Sequence, residues 1–150
     1  MSKTNLAILA LLFAGASAGF ALCMSFVHYA TWGFIPPDAF RAFQHASAIR
    51  TVPIAIVLGI SSLVLTLITA IRGLPNVPRS VIWVAVILAG IPWIATPVMM
   101  IPIQERLAAE GPTSELIKQL FWYDILLRSL PPVIQSTILL GAVFRSIRRN

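Results

Sequence analysis

Residues 81–103 read VIWVAVILAGIPWIATPVMMIPI, an unbroken apolar run without a single charged side chain. A helix needs about 20 mainly apolar residues to cross a hydrocarbon core roughly 30 Å thick, and this run meets that requirement. A soluble domain carries about 25% charged residues. Here 58% of the 150 residues are hydrophobic and only 11% are charged. The chain is therefore predicted to be an integral membrane protein.

Three further segments meet the same requirement for length and apolar content. They lie at about residues 5–27, 51–71 and 120–144. A cleaved signal peptide is the alternative for the first of them, but its apolar run continues past the small residues 15–18, which favours a retained span. The predicted fold is all-α, a single transmembrane domain of four bundled helices over residues 1–150.

The connection between the first two spans contains a predicted helix of its own. Pro36 and Pro37 stop the preceding span. Asp38 can cap a short amphipathic helix that carries Phe40 and Phe43 on one face.

The other two connections differ in length. Residues 72–79 are predicted to form a tight polar turn. Residues 104–118 are predicted to form a longer loop with three glutamates, which breaks at residues 111–113. A new helix is expected to start near Thr113.

Small residues and prolines indicate how the helices pack. Gly15 and Gly19 have the four-residue spacing that permits close contact between helices. Pro92, Pro97 and Pro102 each remove a backbone donor from the third span. Interrupted backbone is tolerated in a membrane where it is buried in protein or lines a cavity. The third span is thus either the kinked wall of a cavity or a purely structural kink.

The basic residues suggest an orientation. With four spans, both termini and the second connection share one side, which holds six basic residues and no acid: Lys3, Arg72, Arg79, Arg145, Arg148 and Arg149. The other side holds five basic residues and all five acids. Because cytoplasmic loops carry the excess of Lys and Arg, both termini are expected in the cytoplasm, with the bacterial inner membrane as the location.

Most polar side chains gather at the ends of the spans that lie away from the termini, while the halves nearer the termini look nearly featureless. The polar set is His28, Tyr29, Gln44, His45, Arg50, Gln104, Glu105, Arg106, Asp124 and Arg128. A charge at depth in lipid costs roughly 2.5–3.5 kcal/mol on insertion scales, so it normally faces the bundle or water. Asp124 and Arg128 are spaced i, i+4 and can pair. We expect a cavity that opens on the non-cytoplasmic side.

The chemistry of such a cavity stays open at this point. His28 and His45 are either haem or metal ligands or interfacial hydrogen-bonding groups, so the cofactor is unknown. The single cysteine, Cys23, excludes a disulfide within the chain and a cysteine-cluster metal site. The Asp124–Arg128 pair either binds an anionic or phenolic substrate or locks the fourth helix. The net charge of +6 is thinly spread and is no nucleic-acid footprint.

The sequence resembles the anthrone oxygenase-like family of small four-span membrane proteins. The resemblance lies in three blocks: Pro102, Gln104, Arg106 and Leu107 after a methionine-containing run; Trp122 and Arg128 before Pro131 or Pro132; and Phe40, Phe43 and Gln44 before Pro53. Fungal members oxidise anthrones to anthraquinones. The resemblance implies an oxygenase-like oxidoreductase that acts on a flat, lipophilic aromatic molecule.

Roles for individual residues follow as hypotheses. His28 or His45 would be the base that removes a proton, and Arg106 or Arg128 would stabilise the phenolate or enolate formed. Residues expected to contact the substrate are Gln44, Trp93, Met100, Gln104, Trp122 and Asp124.

Two other classes of function compete with this one. The first is a non-catalytic membrane subunit or lipophilic-ligand binder that stabilises a partner, with a homo-oligomer or another membrane protein as the possible partner. It predicts a closed, fully packed bundle whose polar groups are paired only with one another. A small transporter would need an oligomer to form a pathway, because the chain has four short spans and no internal repeat. The oxidoreductase predicts a polar-rimmed pocket of ligand size between the helices.

Overall fold

Four long helices make up nearly all of residues 1–148, which are the residues described by the computed structural model. They are α1 (Lys3–Phe34), α2 (Pro37–Arg72), α3 (Arg79–Glu110) and α4 (Ser114–Ile147). All four are long and apolar enough to cross a membrane. The predicted all-α membrane fold is confirmed.

The helices form a ring in which each one packs against two neighbours. Helix α1 contacts α2 and α4, and α3 contacts the same two helices. We call the end of the bundle with both termini and the 73–78 connection the terminal half, and the opposite end the polar half. Arg149, which was counted for the orientation, lies outside the described residues.

The terminal half is held by small residues of α1. Ala7, Ala10 and Ala14 are fully buried in one apolar cluster with Ile82 and Leu139 of the neighbouring helices. Alanines repeating every three or four residues let the helix backbones approach closely, which is how helices associate in lipid.

The close contact predicted at the two glycines of α1 is wrong. Gly15 and Gly19 are exposed, and a Cβ added to either would meet nothing within 4 Å. They lie on the face of α1 that points away from the bundle, because the alanine stripe occupies the packed face.

Helix α2 contains the segment that was predicted to be a separate amphipathic helix. The helix begins at Pro37 and runs without a break for 36 residues. At 1.5 Å per residue it is about 54 Å long, so it projects well beyond a 30 Å hydrocarbon core. The predicted face is real: Phe40 is fully buried against Trp32, and Phe43 stacks on His28.

Helix α3 also extends further than predicted. It continues through Gln104 to Glu110, so the long loop expected over residues 104–118 is wrong. Nothing in residues 104–110 breaks a helix, and the chain turns only at Gly111, whose φ of 88° suits glycine. The new helix starts as predicted, because the Thr113 side chain caps it by accepting from the Leu116 amide at 3.4 Å.

Three of the four helices contain one turn of π-helix in the polar half. These turns are Met24–His28 in α1, Thr96–Met100 in α3 and Ile125–Ser129 in α4. In each, the amide after the turn donates to the carbonyl five residues earlier, as in Leu130 to Ile125. Pro102 follows the turn of α3 and Pro131 that of α4, and neither can donate a hydrogen bond. Such turns often mark functional sites.

Candidate functional site

A buried ion pair lies where the π turns of α1 and α4 meet. Arg128 Nη1 is 3.0 Å from Asp124 Oδ1, with 17% of the arginine side chain and 1% of the aspartate side chain exposed. The predicted i, i+4 pairing is confirmed. Oδ1 has no well-aligned hydrogen bond, so the attraction between the charges is its main interaction.

Two serines complete the surroundings of the aspartate. Ser25 Oγ donates to Asp124 Oδ2 and lies 2.9 Å from Ser129 Oγ. Both serines are fully buried. Because Ser25 belongs to α1 and Ser129 to α4, they fix the two π turns to each other. Sequence reasoning missed them, since a serine in an apolar span is too common to stand out.

A chain of polar contacts continues from the ion pair across the bundle. Arg128 Nη1 also donates to Tyr29 Oη at 3.1 Å. Gln104 Nε2 lies 3.5 Å from the same oxygen, which is long for a hydrogen bond. Gln44 Nε2 donates to the Gln104 carbonyl at 3.0 Å. Polar groups from all four helices therefore meet in the polar half, as predicted.

The guanidinium of Arg128 has donors to spare. It carries five N–H groups, of which one on Nη1 donates to Tyr29, while Nη1 also lies 3.0 Å from Asp124 Oδ1 in the ion pair. Among residues 1–148, neither Nε nor Nη2 has a hydrogen-bond partner. Arg128 also lines two cavities.

The larger cavity has a volume of about 350 Å³ and is lined by all four helices. Its walls are mainly apolar and include Phe20, Ile56, Pro92 and Trp93, with Arg128 on one side. Small-molecule sites are typically apolar clefts of about 300–1,000 Å³ with a few polar groups. Pro92 and Pro97 both line it, so α3 forms an interrupted cavity wall.

A second buried polar cluster borders this cavity and extends from the middle of the bundle into the terminal half. Gln135 Nε2 donates to Ser62 Oγ at 3.0 Å and to Thr66 Oγ1 at 2.9 Å. The Thr66 hydroxyl donates its hydrogen to the Ser62 backbone carbonyl at 2.7 Å. The Thr66 oxygen can then only accept from Gln135, so the Gln135 amide must present its NH₂ group to Thr66. The expectation that the terminal halves of the spans are nearly featureless is therefore wrong. The spacing of Ser62, Thr66 and Thr69, which places three polar side chains on one face of α2, could have predicted a buried polar cluster there.

A smaller cavity of about 200 Å³ lies in the polar half. Its polar lining includes His28, Tyr29, Gln44, Gln104 and Arg128. Five residues line both cavities and therefore lie between the two spaces: Phe20, Val52, Ala55, Thr96 and Arg128. The indole N–H of Trp32, in the wall of the smaller cavity, is buried without a hydrogen-bond partner.

The two histidines have different surroundings. His28 is half-buried, and its Nε2 lies 2.8 Å from Ser47 Oγ. His45 is exposed on α2 and lines neither cavity. Within residues 1–148 there is no group of three or more His, Cys, Asp or Glu side chains that could hold a metal ion.

The remaining candidate residues divide into two groups. Trp93 lines the larger cavity, and Gln44 and Gln104 line the smaller one. Three others line neither cavity: Arg106 is exposed and paired with Glu110 at 3.0 Å, Met100 is fully buried in the apolar core, and Trp122 is 52% exposed. These three residues lie on helix faces that do not line a cavity, and the positions of residues in the sequence do not show which face of a helix lines one.

Comparison with known proteins adds no relative. No protein-family model, curated protein or solved structure matches this chain.

Proposed function

We propose that this chain is a membrane-embedded oxidoreductase of the oxygenase type, which acts on a lipophilic aromatic phenol or anthrone in the larger cavity. The observation that carries the proposal is Arg128, a mostly buried guanidinium with unpaired N–H groups beside a cavity of ligand size. The reaction class comes from the resemblance to the anthrone oxygenase-like family.

The electrostatics suit a ligand oxygen that gains charge during a reaction. Asp124 compensates the charge of Arg128, so the site does not require a fully anionic ligand. The unpaired N–H groups are already in place to stabilise a phenolate or enolate as it forms. Donors prearranged in a site that excludes water are often the largest contribution to catalysis.

The proposed reaction consumes oxygen. A base removes a proton from the methylene carbon of an anthrone, and the enolate formed reacts with O₂. The carbon loses two hydrogens and keeps one oxygen atom as a carbonyl, while the other oxygen atom leaves as water. His28 is the base in this proposal. It lines the smaller cavity beside Arg128, so the reacting methylene carbon must reach past Arg128 from the larger cavity into the smaller one. His45 and Arg106 have no part in it, since neither lines a cavity.

The first experiment follows oxidation of anthrone by the protein in lipid nanodiscs, measured as O₂ consumption and anthraquinone absorbance against empty nanodiscs. Substituting Arg128→Gln should lower kcat/KM by about 10²- to 10³-fold, the effect of removing a prearranged donor from such a site. Arg106→Gln is the matched control and should leave the rate unchanged, because Arg106 is exposed and paired with Glu110. A wild-type rate no higher than that of empty nanodiscs would reject the oxidoreductase.

The second experiment tests the base. Substituting His28→Gln should reduce anthrone turnover by about 10²-fold or more, the usual contribution of a positioned base, and His45→Gln should not. Comparing the two variants at equal expression and thermal stability separates catalysis from folding. Full activity of the His28 variant would remove this residue from the mechanism.

A non-catalytic binder of the same ligands is the second candidate. In this candidate His28, which has Ser47 as a hydrogen-bond partner, positions the ligand and transfers no proton. Saturable binding of anthrone without oxidation would support this candidate. A purely structural subunit has less support, because two cavities interrupt the packing of residues 1–148.

The setting of the protein belongs to the same proposal. The balance of basic residues supports cytoplasmic termini in a bacterial inner membrane, with the polar half towards the opposite side. A homo-oligomer or a complex with another membrane protein is compatible with the apolar outer faces of the helices, and so is lipid alone.

A further inference from the structure

The larger cavity opens sideways, towards the space that lipid occupies. Several of its lining residues are exposed, among them Val52 by 49%, Ile56 by 43% and Trp93 by 37%. The first two belong to α2 and the third to α3. The lining residues of α4 include Pro132 and Gln135, which are buried. The opening therefore lies between α2 and α3, and we call it the portal.

The portal lies within the apolar stretches of α2 and α3, from Val52 near the polar end of α2's stretch to Gly59 near its middle. Gly59 is near the middle of the apolar stretch of α2, and Trp93 is near the middle of that of α3. A Cβ added to Gly59 would lie 2.9 Å from Trp93 Cζ2, so the glycine allows the indole to lie directly against α2. This contact forms one edge of the portal.

Cavity volume and portal together define what can bind. A volume of about 350 Å³ is near the lower end of the range for small-molecule sites, which is enough for a compact ring system but not for a long alkyl chain as well. An alkyl chain that leaves through the portal needs no space in the cavity. It also exchanges one apolar environment for another, because lipid tails are as apolar as the side chains of the portal.

We propose that the natural ligand is a two-part lipid: a phenolic ring that reaches Arg128 in the larger cavity, and a long alkyl or isoprenoid tail that passes between α2 and α3 into the bilayer. This inference rests on the proposed phenol-binding role of the cavity and adds the tail. The ligand reaches the site from the membrane and not from water.

The test compares two phenols with the same ring, para-cresol and para-hexadecylphenol, by calorimetric titration of the protein in phosphatidylcholine nanodiscs. Affinities are expressed per mole fraction of ligand in the lipid, which removes the effect of partitioning. The wild-type protein should bind both phenols with the same Kd. Ile56→Trp narrows both the portal and the cavity wall, and it should raise the Kd of the long-tailed phenol about tenfold more than that of para-cresol.

Matched variants make the result decisive. Val52→Trp narrows the portal from another position and also changes the wall of the smaller cavity, which Val52 lines as well. It should show the same excess effect on the long-tailed phenol over para-cresol as Ile56→Trp, which guards against a folding defect in either variant. Ile54→Trp places the same bulk on α2 at a residue that is 50% exposed and lines neither cavity, so it should change neither Kd. Exclusion of the long-tailed phenol from the wild type, or equal effects on both phenols, would overturn the portal. Failure of both phenols to bind would instead overturn the proposed function.

Discussion

Two ion pairs of the same spacing show how far burial decides what a single residue contributes. Asp124–Arg128 is enclosed by the bundle, whereas Arg106–Glu110 lies on its surface, with 57% and 50% of the two side chains exposed. Loss of one partner from a buried pair leaves an uncompensated charge, which is expensive. An exposed pair contributes little, because water screens both charges.

Substituting Asp124→Asn should therefore lower the free energy of unfolding by about 3 kcal/mol, the lower end of the range for a broken buried pair, since Arg128 keeps some access to the cavities. Glu110→Gln breaks the surface pair and should cause no measurable loss. Thermal or denaturant unfolding in detergent, followed by circular dichroism, measures both. Equal stability of the two variants would show that the buried charges are solvated in some other way.

Among the helices, α1 has two faces with opposite roles. Ala14 is fully buried against its neighbours, whereas Gly15, the next residue along the chain, has open space around it. A larger side chain at Ala14 must push two helices apart. At Gly15 it would point away from the bundle.

Ala14→Leu should thus destabilise the protein by about 1–3 kcal/mol through overpacking. Gly15→Leu should be neutral or stabilise it by up to about 1 kcal/mol, because glycine is the poorer helix former. Unfolding of the two variants in the same detergent checks the contrast. Destabilisation by the Gly15 variant alone would mean that this face is packed against a partner in the membrane.

The whole molecule has a direction in the bilayer that can be measured at two equivalent serines. Ser80 and Ser114 are exposed and lie in the first turns of α3 and α4, at opposite ends of the bundle. In a Cys23→Ala background, Ser114→Cys should react with a membrane-impermeant maleimide in intact cells. Ser80→Cys should react only after the cells are opened. The reverse pattern would place the termini outside the cytoplasm.

For the molecule as a whole, the sequence predicts the membrane spans well. It predicts the connections between them and the residues that line the cavities less well. Four apolar segments and the Asp124–Arg128 pair were predictable, because length, composition and i, i+4 spacing are local properties. Helix continuity through Gln104 was not, since polar residues outside the hydrocarbon core are as compatible with helix as with loop. The cavities depend on which faces of four helices meet, so Gln135 was missed and Arg106 was misplaced.

The π turns give three of the helices two independently adjustable parts. A residue added to an α-helix rotates everything beyond it by about 100°, and a wide turn is a place where such a rotation can be absorbed. Residues on the polar side of the turn can rotate about the helix axis while the packed alanines on the terminal side keep their contacts. Descendants of this sequence could vary the chemistry around Arg128 by gaining or losing one residue at a turn, with no change in how the bundle is anchored.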